Sequence, residues 1–147
     1  HSHRYFNISH TKSHIVMAVA DEEIGVDIEE IVCKKSFMNI ARRYFSGCEV
    51  NELEQSKDLQ KDFYTLWTLK ESQVKRSSLG IAYGLKDALF YKKDDCWTSE
   101  NLEKDFLTYG YVNSVISICC NEARNAVVEV FKITNNSSFE EIELSRL

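Results

Sequence analysis

The feature that most constrains this chain is a long amphipathic stretch near its middle, from Lys57 to Ser77. At about 100° per residue, its apolar side chains collect on one side of a helix when Phe63 is set at zero. Within about 60° of Phe63 lie the side chains of Leu59, Leu66, Trp67 and Val74. The pattern predicts one long helix that closes at the sequence SSLG.

Lys70 lies near the middle of that apolar stripe, Glu71 lies at one edge, and Lys75 follows Glu71 by four residues. A lysine in such a position can reach solvent along its aliphatic stem, and Glu71 with Lys75 can form a surface ion pair worth a few tenths of a kcal/mol. Alternatively, Lys70 points into a cleft and meets an anion there, because an unpaired buried ammonium is costly. The helix alone leaves both interpretations open.

Strand-like runs lie on both sides of this helix. Before it, the sequence FNIS predicts a short strand, and the runs HIVMAVA and IGVDIEEI, separated by the acidic turn DEE, predict a hairpin. Short helices are predicted over residues 37–46 and from about Cys48. After the long helix, strands are predicted at DALFYK, FLTYGYV, SVISICC and AVVEVFKI, with a hairpin loop at NEARN.

This element order predicts a single α+β domain over residues 1–147, with an antiparallel sheet packed against the long central helix. The polar tail, residues 135–147, is expected to fray. The chain is 44% hydrophobic and 28% charged, which suits one domain with a core.

Composition also excludes several classes of function. The formal charge of -5 argues against a nucleic-acid binder, which usually carries a basic surplus. No run approaches the roughly 18 apolar residues of a membrane span. The five cysteines form an odd set without a C-x-x-C pair, which argues against a disulfide framework or a zinc site and favours a cytoplasmic location.

Two carboxylates share one face of the predicted strand IGVDIEE. With a period of two, Ile24, Val26 and Ile28 face one side, while Asp27 and Glu29 face the other. Such a pair usually marks a solvated strand edge. The alternative is a site for a hard cation such as Mg²⁺, which takes one or two protein carboxylates together with water and substrate phosphates.

The segment FNISH places Asn7, Ser9 and His10 after an apolar start. His10 can be a structural histidine, a metal ligand or a contact to phosphate. The chain has no H-E-x-x-H or other helical histidine pair, which argues against zinc. A phosphate contact would use His10, the Ser9 hydroxyl and nearby backbone N–H groups as donors.

The three segments FNISH, GVDIE and WTLKESQVK occur in that order, and this combination resembles the signature of the 4′-phosphopantetheinyl transferases. The resemblance is to the long, surfactin-synthetase-activating class, in which FNxSHS precedes G(I/V)D(I/V)E and WxxKE(S/A)xxK. IARRYFSGCEVNEL and GIAYGLKDALF also resemble the corresponding family segments, so the match covers residues 5 to 91. It implies one half of the family's pseudo-symmetric fold plus extra strands.

The resemblance implies transfer of the phosphopantetheine arm of coenzyme A to a serine of an apo acyl or peptidyl carrier protein. The coproduct would be adenosine 3′,5′-bisphosphate and the cofactor Mg²⁺. The match assigns Asp27, Glu29 and Glu71 as metal ligands. A cation among them makes physical sense, because two carboxylates about 4 Å apart repel by roughly 4 kcal/mol at an effective dielectric near 20.

The same match implies roles for the remaining site residues. Glu71 is the candidate general base for the carrier serine, directly or through a bound water, and Lys75 is the second catalytic residue. The residues expected to contact coenzyme A are Ser9, His10, Lys70 and Lys75. Trp67 would pack beneath the site and hold the helix in place.

Two groups of residues are expected to meet the carrier protein, whose helices tend to be acidic in this family. One is basic, and complementary charge would guide docking: Arg42, Arg43, Lys75 and Arg76. The other is apolar and follows the long helix: Leu79, Ile81 and Tyr83.

The pattern departs from the long class at the front, because almost nothing precedes FNISH where that class carries a preceding half-domain. We therefore expect either the C-terminal part of a longer enzyme whose upstream half is missing, or a half-size enzyme that completes its cleft by self-association. A third interpretation is a catalytically silent module that binds coenzyme A or a carrier protein without turnover. An unrelated Mg²⁺-dependent hydrolase would use the same carboxylates on water, but the full WTLKESQVK frame favours transfer.

Overall fold

The computed structural model describes residues 3–33, 36–77, 84–99, 105–121, 131–133 and 139–147. The helices in these residues are α1 (Phe37–Tyr44), α2 (Gly47–Glu54) and α3 (Leu59–Ser77). The strands in these residues are β1 (Tyr5–His10), β2 (Ile15–Ala20), β3 (Gly25–Glu30), β4 (Phe90–Lys93), β5 (Cys96–Ser99), β6 (Asp105–Tyr111), β7 (Ser114–Cys120), β8 (Phe131–Ile133), β9 (Phe139–Glu141) and β10 (Ser145–Arg146).

An antiparallel sheet in the order β10-β6-β7-β3 forms the centre of the molecule. Helix α3 packs against its strands β3 and β7. Strand β7 is buried along nearly its whole length, which explains why SVISICC carries apolar or small residues throughout. This arrangement confirms the predicted α+β fold, with an antiparallel sheet against one long helix.

The first two strands form a sheet of their own. β1 pairs with β2 from Tyr5↔Ala20 to His10↔Ile15, whereas β3 pairs with β7 in a register that sets Asp27 opposite Ser117. The predicted hairpin between HIVMAVA and IGVDIEEI is therefore wrong. Local alternation shows that a segment is a strand but not which strand it pairs with. β3 pairs with β7 because in that position its residues are buried against α3.

The β1–β2 hairpin is attached to β3 through side chains. The Val26 N–H donates to Asn7 Oδ1 at 3.1 Å, and the Ile28 N–H donates to Ser9 Oγ at 3.3 Å. Asn7 and Ser9 are two residues apart on β1, and Val26 and Ile28 are two residues apart on β3. The side chains on one face of β1 therefore match the amides along one edge of β3. These side chains satisfy two amides that the β3–β7 ladder leaves open.

The short helices lead the chain to the far side of α3. Ser46 and Glu49 form a capping box at the start of α2, with the Ser46 N–H donating to Glu49 Oε2 at 2.7 Å and the Glu49 N–H donating to Ser46 Oγ at 3.3 Å. Trp67 of α3 packs against three aromatic rings near α1, with centroids 6.0 to 6.1 Å away: Tyr44, Phe45 and Phe63. The predicted packing role of Trp67 thus takes the form of an aromatic contact between α1 and α3.

The later strands differ in detail from expectation. The sequence pattern does not predict β5. This strand pairs with β4 through a two-residue turn in which Asp94 and Asp95 both have positive φ, 51° and 61°. In the tail, β10 pairs with β6, and the Leu147 N–H donates to the Thr108 carbonyl at 2.9 Å. Helix α3 is described as far as Ser77, the first residue of SSLG. The rest of SSLG, nearly all of the loop at NEARN and the first part of AVVEVFKI lie outside the described residues.

Candidate active site

Three elements meet at the carboxylate of Asp27. Asp27 is 4% exposed on β3, and the Lys75 ammonium from α3 lies 2.6 Å from its Oδ1. Ser9 of β1 donates to the same oxygen at 2.8 Å and accepts a hydrogen bond from Lys75 at 2.9 Å. Two of the three predicted motif segments, FNISH and GVDIE, therefore meet the third, WTLKESQVK, at one triangle of polar atoms.

Gly25 sets the distance between β3 and α3 at this point. A Cβ at position 25 would lie 1.9 Å from the Ser72 carbonyl oxygen and 2.7 Å from the Arg76 backbone nitrogen. Only glycine permits so close an approach of strand and helix. The glycine that opens GVDIE thus lets Asp27, two residues on, reach Lys75.

Glu71 lies one helical turn before Lys75 and is 5% exposed. Burial and, after it, the negative charge of Asp27 raise the pKa of its carboxyl to about 7, with a smaller contribution from Glu29, while the ammonium of Lys75 partly opposes this shift. Burial also raises the pKa of Asp27, against the lowering effect of Lys75 and Ser9. Near neutral pH, Glu71 can therefore either hold or accept a proton.

The donors around this triangle suit Mg²⁺ by their chemistry, because carboxylate oxygens are its preferred protein ligands. Asp27 Oδ2 is buried and has no hydrogen-bond partner among the described residues. Within the part of the chain that the structure describes, however, no three His, Cys, Asp or Glu side chains are grouped closely enough to hold a metal ion. In the present arrangement, the counter-charge to Asp27 comes from Lys75.

Lys70 is not part of this triangle. Its ammonium is fully buried, lies 2.8 Å from Glu49 Oε1, and donates to the carbonyl oxygens of Leu85, at 2.9 Å, and Ala88. These three acceptors use the three protons that an ammonium can donate. The expected contact of Lys70 with coenzyme A phosphates is therefore wrong for this structure: Lys70 does meet an anion, but that anion is Glu49.

Helix geometry explains why the two lysines separate. Lys70 and Lys75 are five residues apart, so they point about 140° away from each other around α3. Lys70 shares the side of Phe63 and also lies over the rings of Phe45 and Phe90, 5.3 and 5.9 Å from their centroids. Burial lowers the pKa of Lys70, and Glu49 opposes that shift.

Two signals in the sequence could have revealed these roles. Ser46 and Glu49 show the S-x-x-E spacing of a capping box, which fixes a carboxylate at the start of a helix. The second signal concerns Asn7, for which the motifs predict no role. Asn7 and Ser9 are two residues apart, as are Val26 and Ile28, whose amides they accept. Neither spacing says which distant residue will be met, so both contacts appear only in the fold.

The other predicted site residues are distributed as follows. His10 is exposed and follows Ser9 on β1, so alternation turns it to the opposite face of the hairpin. Glu29 is half-buried on β3 and acts on the site through its charge on Glu71. A role of His10 in binding coenzyme A stays a prediction.

Two members of the predicted basic group are engaged by partners within the chain. Arg42 is paired with Glu54 at 2.8 Å, and the Arg76 side chain donates to the Glu23 carbonyl and to Asn121. The alternative carrier contacts, Leu79, Ile81 and Tyr83, lie outside the described residues. A carrier surface is therefore not assigned.

Comparison with known proteins places this geometry in a family. The family model described as the 4′-phosphopantetheinyl transferase superfamily matches residues 23–131, which include the β3 and α3 parts of the site. The chain belongs to this superfamily. The resemblance found in the motifs is thereby confirmed.

Relatives of known name support the same assignment. The chain is 41% identical over 93 residues to a 4′-phosphopantetheinyl transferase of Bacillus subtilis, a match that covers 62% of this chain and 41% of the relative. It is 40% identical over 83 residues to the transferase Sfp of Bacillus subtilis strain 168, covering 55% and 36% of the two chains. The matched part is thus about two fifths of each relative, which fits the predicted likeness to one part of a long-class enzyme.

A solved structure shares the fold. The holo-[acyl-carrier-protein] synthase of Thermotoga maritima superposes with a TM-score of 0.54 over 84% of each chain, at 12% sequence identity. At this identity the likeness supports the architecture alone, and it agrees with the predicted α+β transferase fold. No helix in the described residues has the length and apolar character needed to cross a membrane.

Proposed function

We propose that this chain transfers the 4′-phosphopantetheine arm of coenzyme A to a serine hydroxyl of an apo carrier protein. The observation that carries the proposal is the triangle of Ser9, Asp27 and Lys75 beside Glu71, in a chain of this superfamily. It combines a partly exposed cation that can bind phosphate with a carboxyl whose pKa of about 7 suits proton transfer.

Lys75 and Ser9 are the proposed contacts to coenzyme A. The Lys75 side chain is 27% exposed, so its ammonium can turn from Asp27 to a phosphate oxygen without losing a counter-charge. Ser9 can follow by rotating its hydroxyl. His10 is proposed as a phosphate contact only at the edge of the site, because it faces away from Ser9.

Glu71 is the proposed general base. In its ionised form it takes the proton of the carrier serine while the serine oxygen forms a bond to the β-phosphorus of coenzyme A. The bond between that phosphorus and the bridging oxygen of the pyrophosphate breaks, and adenosine 3′,5′-bisphosphate leaves with the electron pair. Lys75 stabilises the negative charge that develops on the phosphate oxygens.

Mg²⁺ is the proposed cofactor, with Asp27, Glu29 and Glu71 as its protein ligands. The buried, unpartnered Asp27 Oδ2 and the mutual repulsion that raises the pKa of Glu71 support this choice. When bound, the ion would neutralise charge on the pyrophosphate. Lys75 lies 2.6 Å from Asp27 Oδ1, so Oδ2 is the oxygen of Asp27 that is left for the ion.

The proposed partners are coenzyme A and an apo acyl or peptidyl carrier protein, in the cytoplasm. Since the chain spans about two fifths of the relatives' length, the proposal includes a cleft completed by self-association or by pairing with an N-terminal half. A silent module that binds coenzyme A without turnover is the competing function.

The test is the intact mass of an apo carrier protein after incubation with this chain, coenzyme A and Mg²⁺, beside a sample with EDTA. We expect a Mg²⁺-dependent gain of one phosphopantetheine, lost in Glu71→Gln and Lys75→Ala. Lys92→Ala is the matched control, because Lys92 is also a partly buried lysine paired with an aspartate, Asp62, outside the site. No gain with coenzyme A binding retained would favour the silent module, and loss of activity in the control alone would contradict the site assignment.

A further inference from the structure

Among the described strands, β1 and β3 lie side by side but belong to different sheets, so no backbone ladder fixes how far β1 is displaced along β3. This displacement matters for the site, because the Ser9 hydroxyl on β1 must lie beside Asp27 of β3 and Lys75 of α3. A shift of β1 by two residues would move Ser9 by roughly 7 Å, beyond hydrogen-bond reach of both groups. Contacts other than a ladder must therefore hold β1 in place.

Two buried amides of β3 supply that constraint. Val26 and Ile28 are 0% and 1% exposed, and their N–H groups point towards β1. Water cannot readily replace a lost acceptor at such positions, and an unpaired buried N–H is costly. Asn7 Oδ1 accepts from Val26 and Ser9 Oγ accepts from Ile28. The two amides therefore stabilise only an alignment in which β1 brings an acceptor to each of them.

The acceptor at Val26 cannot come from the residues beside Asn7 on β1. A shift by one residue would put Phe6 or Ile8 opposite Val26, and neither side chain has an atom that accepts a hydrogen bond. A shift by two residues in one direction would put Tyr5 there, whose hydroxyl lies at the far end of a ring and is too distant from its own backbone for this gap. Asparagine has both the acceptor and the length that the gap requires.

The shift by two residues in the other direction is disfavoured as well. It would bring Ser9 opposite Val26 and Thr11 opposite Ile28. The Thr11 hydroxyl lies in the turn after β1, where it accepts from the His14 N–H at 3.0 Å. Ile28 could use this hydroxyl only if the turn were disrupted. The observed alignment is therefore the one that gives both buried amides an acceptor.

Asn7 and Ser9 differ in what else they contact. The Ser9 hydroxyl also donates to Asp27 and accepts from Lys75, and in the proposed function it turns towards a phosphate of coenzyme A. The hydrogen bond between Asn7 and Val26 involves no group of this triangle. Asn7 can therefore hold β1 on β3 while Ser9 exchanges one partner for another.

We propose that Asn7 is a positioning residue for the candidate site: it fixes the alignment of β1 on β3 and so holds Ser9 beside Asp27 and Lys75. Its effect on coenzyme A passes through Ser9. The alignment is a property of the fold, whereas its consequence for coenzyme A rests on the proposed function. The two parts are therefore tested by different measurements.

Amide hydrogen exchange of the full 147-residue chain, followed by NMR, tests the alignment. In Asn7→Ala, with unchanged circular dichroism, the Ile28 amide should exchange at least about tenfold faster, because Ser9 no longer stays beside it. Asn7→Asp keeps an acceptor oxygen at the same reach and should retain the slow exchange of Ile28. Asn113→Ala is the matched control, because the Asn113 side chain also bonds to backbone next to β3, donating to the Ile31 carbonyl at 2.7 Å, but from the β6–β7 turn. It should leave the exchange of Ile28 unchanged.

A double-mutant cycle tests whether Asn7 acts through Ser9. The dissociation constant of coenzyme A is measured by calorimetry for the wild type, Asn7→Ala, Ser9→Ala and the double variant. We expect Asn7→Ala to weaken binding by about threefold to tenfold, as for the loss of one hydrogen bond. In the Ser9→Ala background, the same substitution should weaken binding by less than about twofold. Asn113→Ala should bind coenzyme A as the wild type does.

Two results would overturn the role of Asn7: unchanged exchange of Ile28 in the folded Asn7→Ala variant, or additive effects of the two substitutions on coenzyme A binding. If Asn7→Ala does not fold, Asn7→Ser replaces it in both measurements, because serine keeps a hydroxyl but has a shorter reach. A wild type that binds no coenzyme A would contradict the proposed function instead. The exchange of Ile28 would then decide the role of Asn7 by itself.

Discussion

Lys70 and Lys75 carry the same charge on the same helix, yet the fold holds them in different ways. Lys70 is fully buried and gives all its protons to fixed protein acceptors, Glu49 among them. Lys75 is 27% exposed and shares its ammonium between Asp27 and Ser9. A lysine with every proton committed inside the protein stabilises the fold, whereas one at a partly open triangle can exchange a protein partner for a ligand.

The largest expected effect on stability comes from removing Lys70. Lys70→Ala leaves the Glu49 carboxylate without its cation in a fully buried position, so the free energy of unfolding should fall by about 3–5 kcal/mol. Urea denaturation measures this change. Lys70→Met combined with Glu49→Gln should recover part of the loss, because no unpaired charge then remains. If Lys70→Ala lowered the free energy of unfolding less than Lys75→Ala does, Lys70 would not be the lysine that stabilises the fold.

The next largest effect concerns the pH dependence of stability on the Lys75 side. The pKa of Glu71 is about 7 in the folded state and ordinarily 4.5. Between pH 4.5 and 7 its carboxyl is therefore mostly protonated in the folded state and mostly ionised in the unfolded state. The free energy of unfolding should therefore fall as the pH rises from about 4.5 to 7, by up to about 3 kcal/mol from this group.

Denaturation of the wild type and Glu71→Gln across this pH range, in EDTA, measures the Glu71 contribution. Glu71→Gln should show a shallower decline, because the glutamine does not titrate. The raised pKa of Asp27 has the same sign and stays in both proteins. Parallel curves for the two proteins would show that Glu71 does not titrate in this interval.

Gly25→Ala tests whether the close contact of β3 with α3 holds the site together. The added Cβ would overlap the Ser72 backbone oxygen, and backbone cannot move aside cheaply, so we expect a loss of about 1–3 kcal/mol and weaker coenzyme A binding. Gly47→Ala is the matched control, because a Cβ there meets nothing within 4 Å and alanine favours a helix. Equal melting temperatures for the two variants would refute the tight approach at Gly25.

The smallest expected effect on stability comes from Lys75→Ala. The Lys75 ammonium is partly open to solvent, and the buried Asp27 left behind can take up a proton, which its raised pKa already favours, so the removal should cost only about 1 kcal/mol. Binding of coenzyme A, measured by calorimetry, should nevertheless fall by at least about tenfold, because a charge-assisted contact to phosphate is lost. Unchanged binding would move the phosphate site away from Lys75.

Local patterns predicted much of this architecture. Helix α3 was expected over residues 57–77 and occupies Leu59–Ser77, and the strands β3, β6 and β7 lie close to their expected positions. Periods of 3.6 and 2 are set by the backbone of each segment, so they can be read without knowing the partner. Strand pairing is different, because no local sequence pattern indicates that β2 pairs with β1 or that β3 pairs with β7.

The sequence by itself determined the family, the long helix and the three segments that carry the chemistry, because these depend on residue type and spacing. Only the tertiary structure decided that Glu49 is the counter-ion of Lys70, that Ser9 meets Asp27, and that the pKa of Glu71 approaches 7. The physical reason is distance: charges and donors act over a few ångströms. Residues separated by 18, 21 or 48 positions come that close only when the strands and the helix have packed.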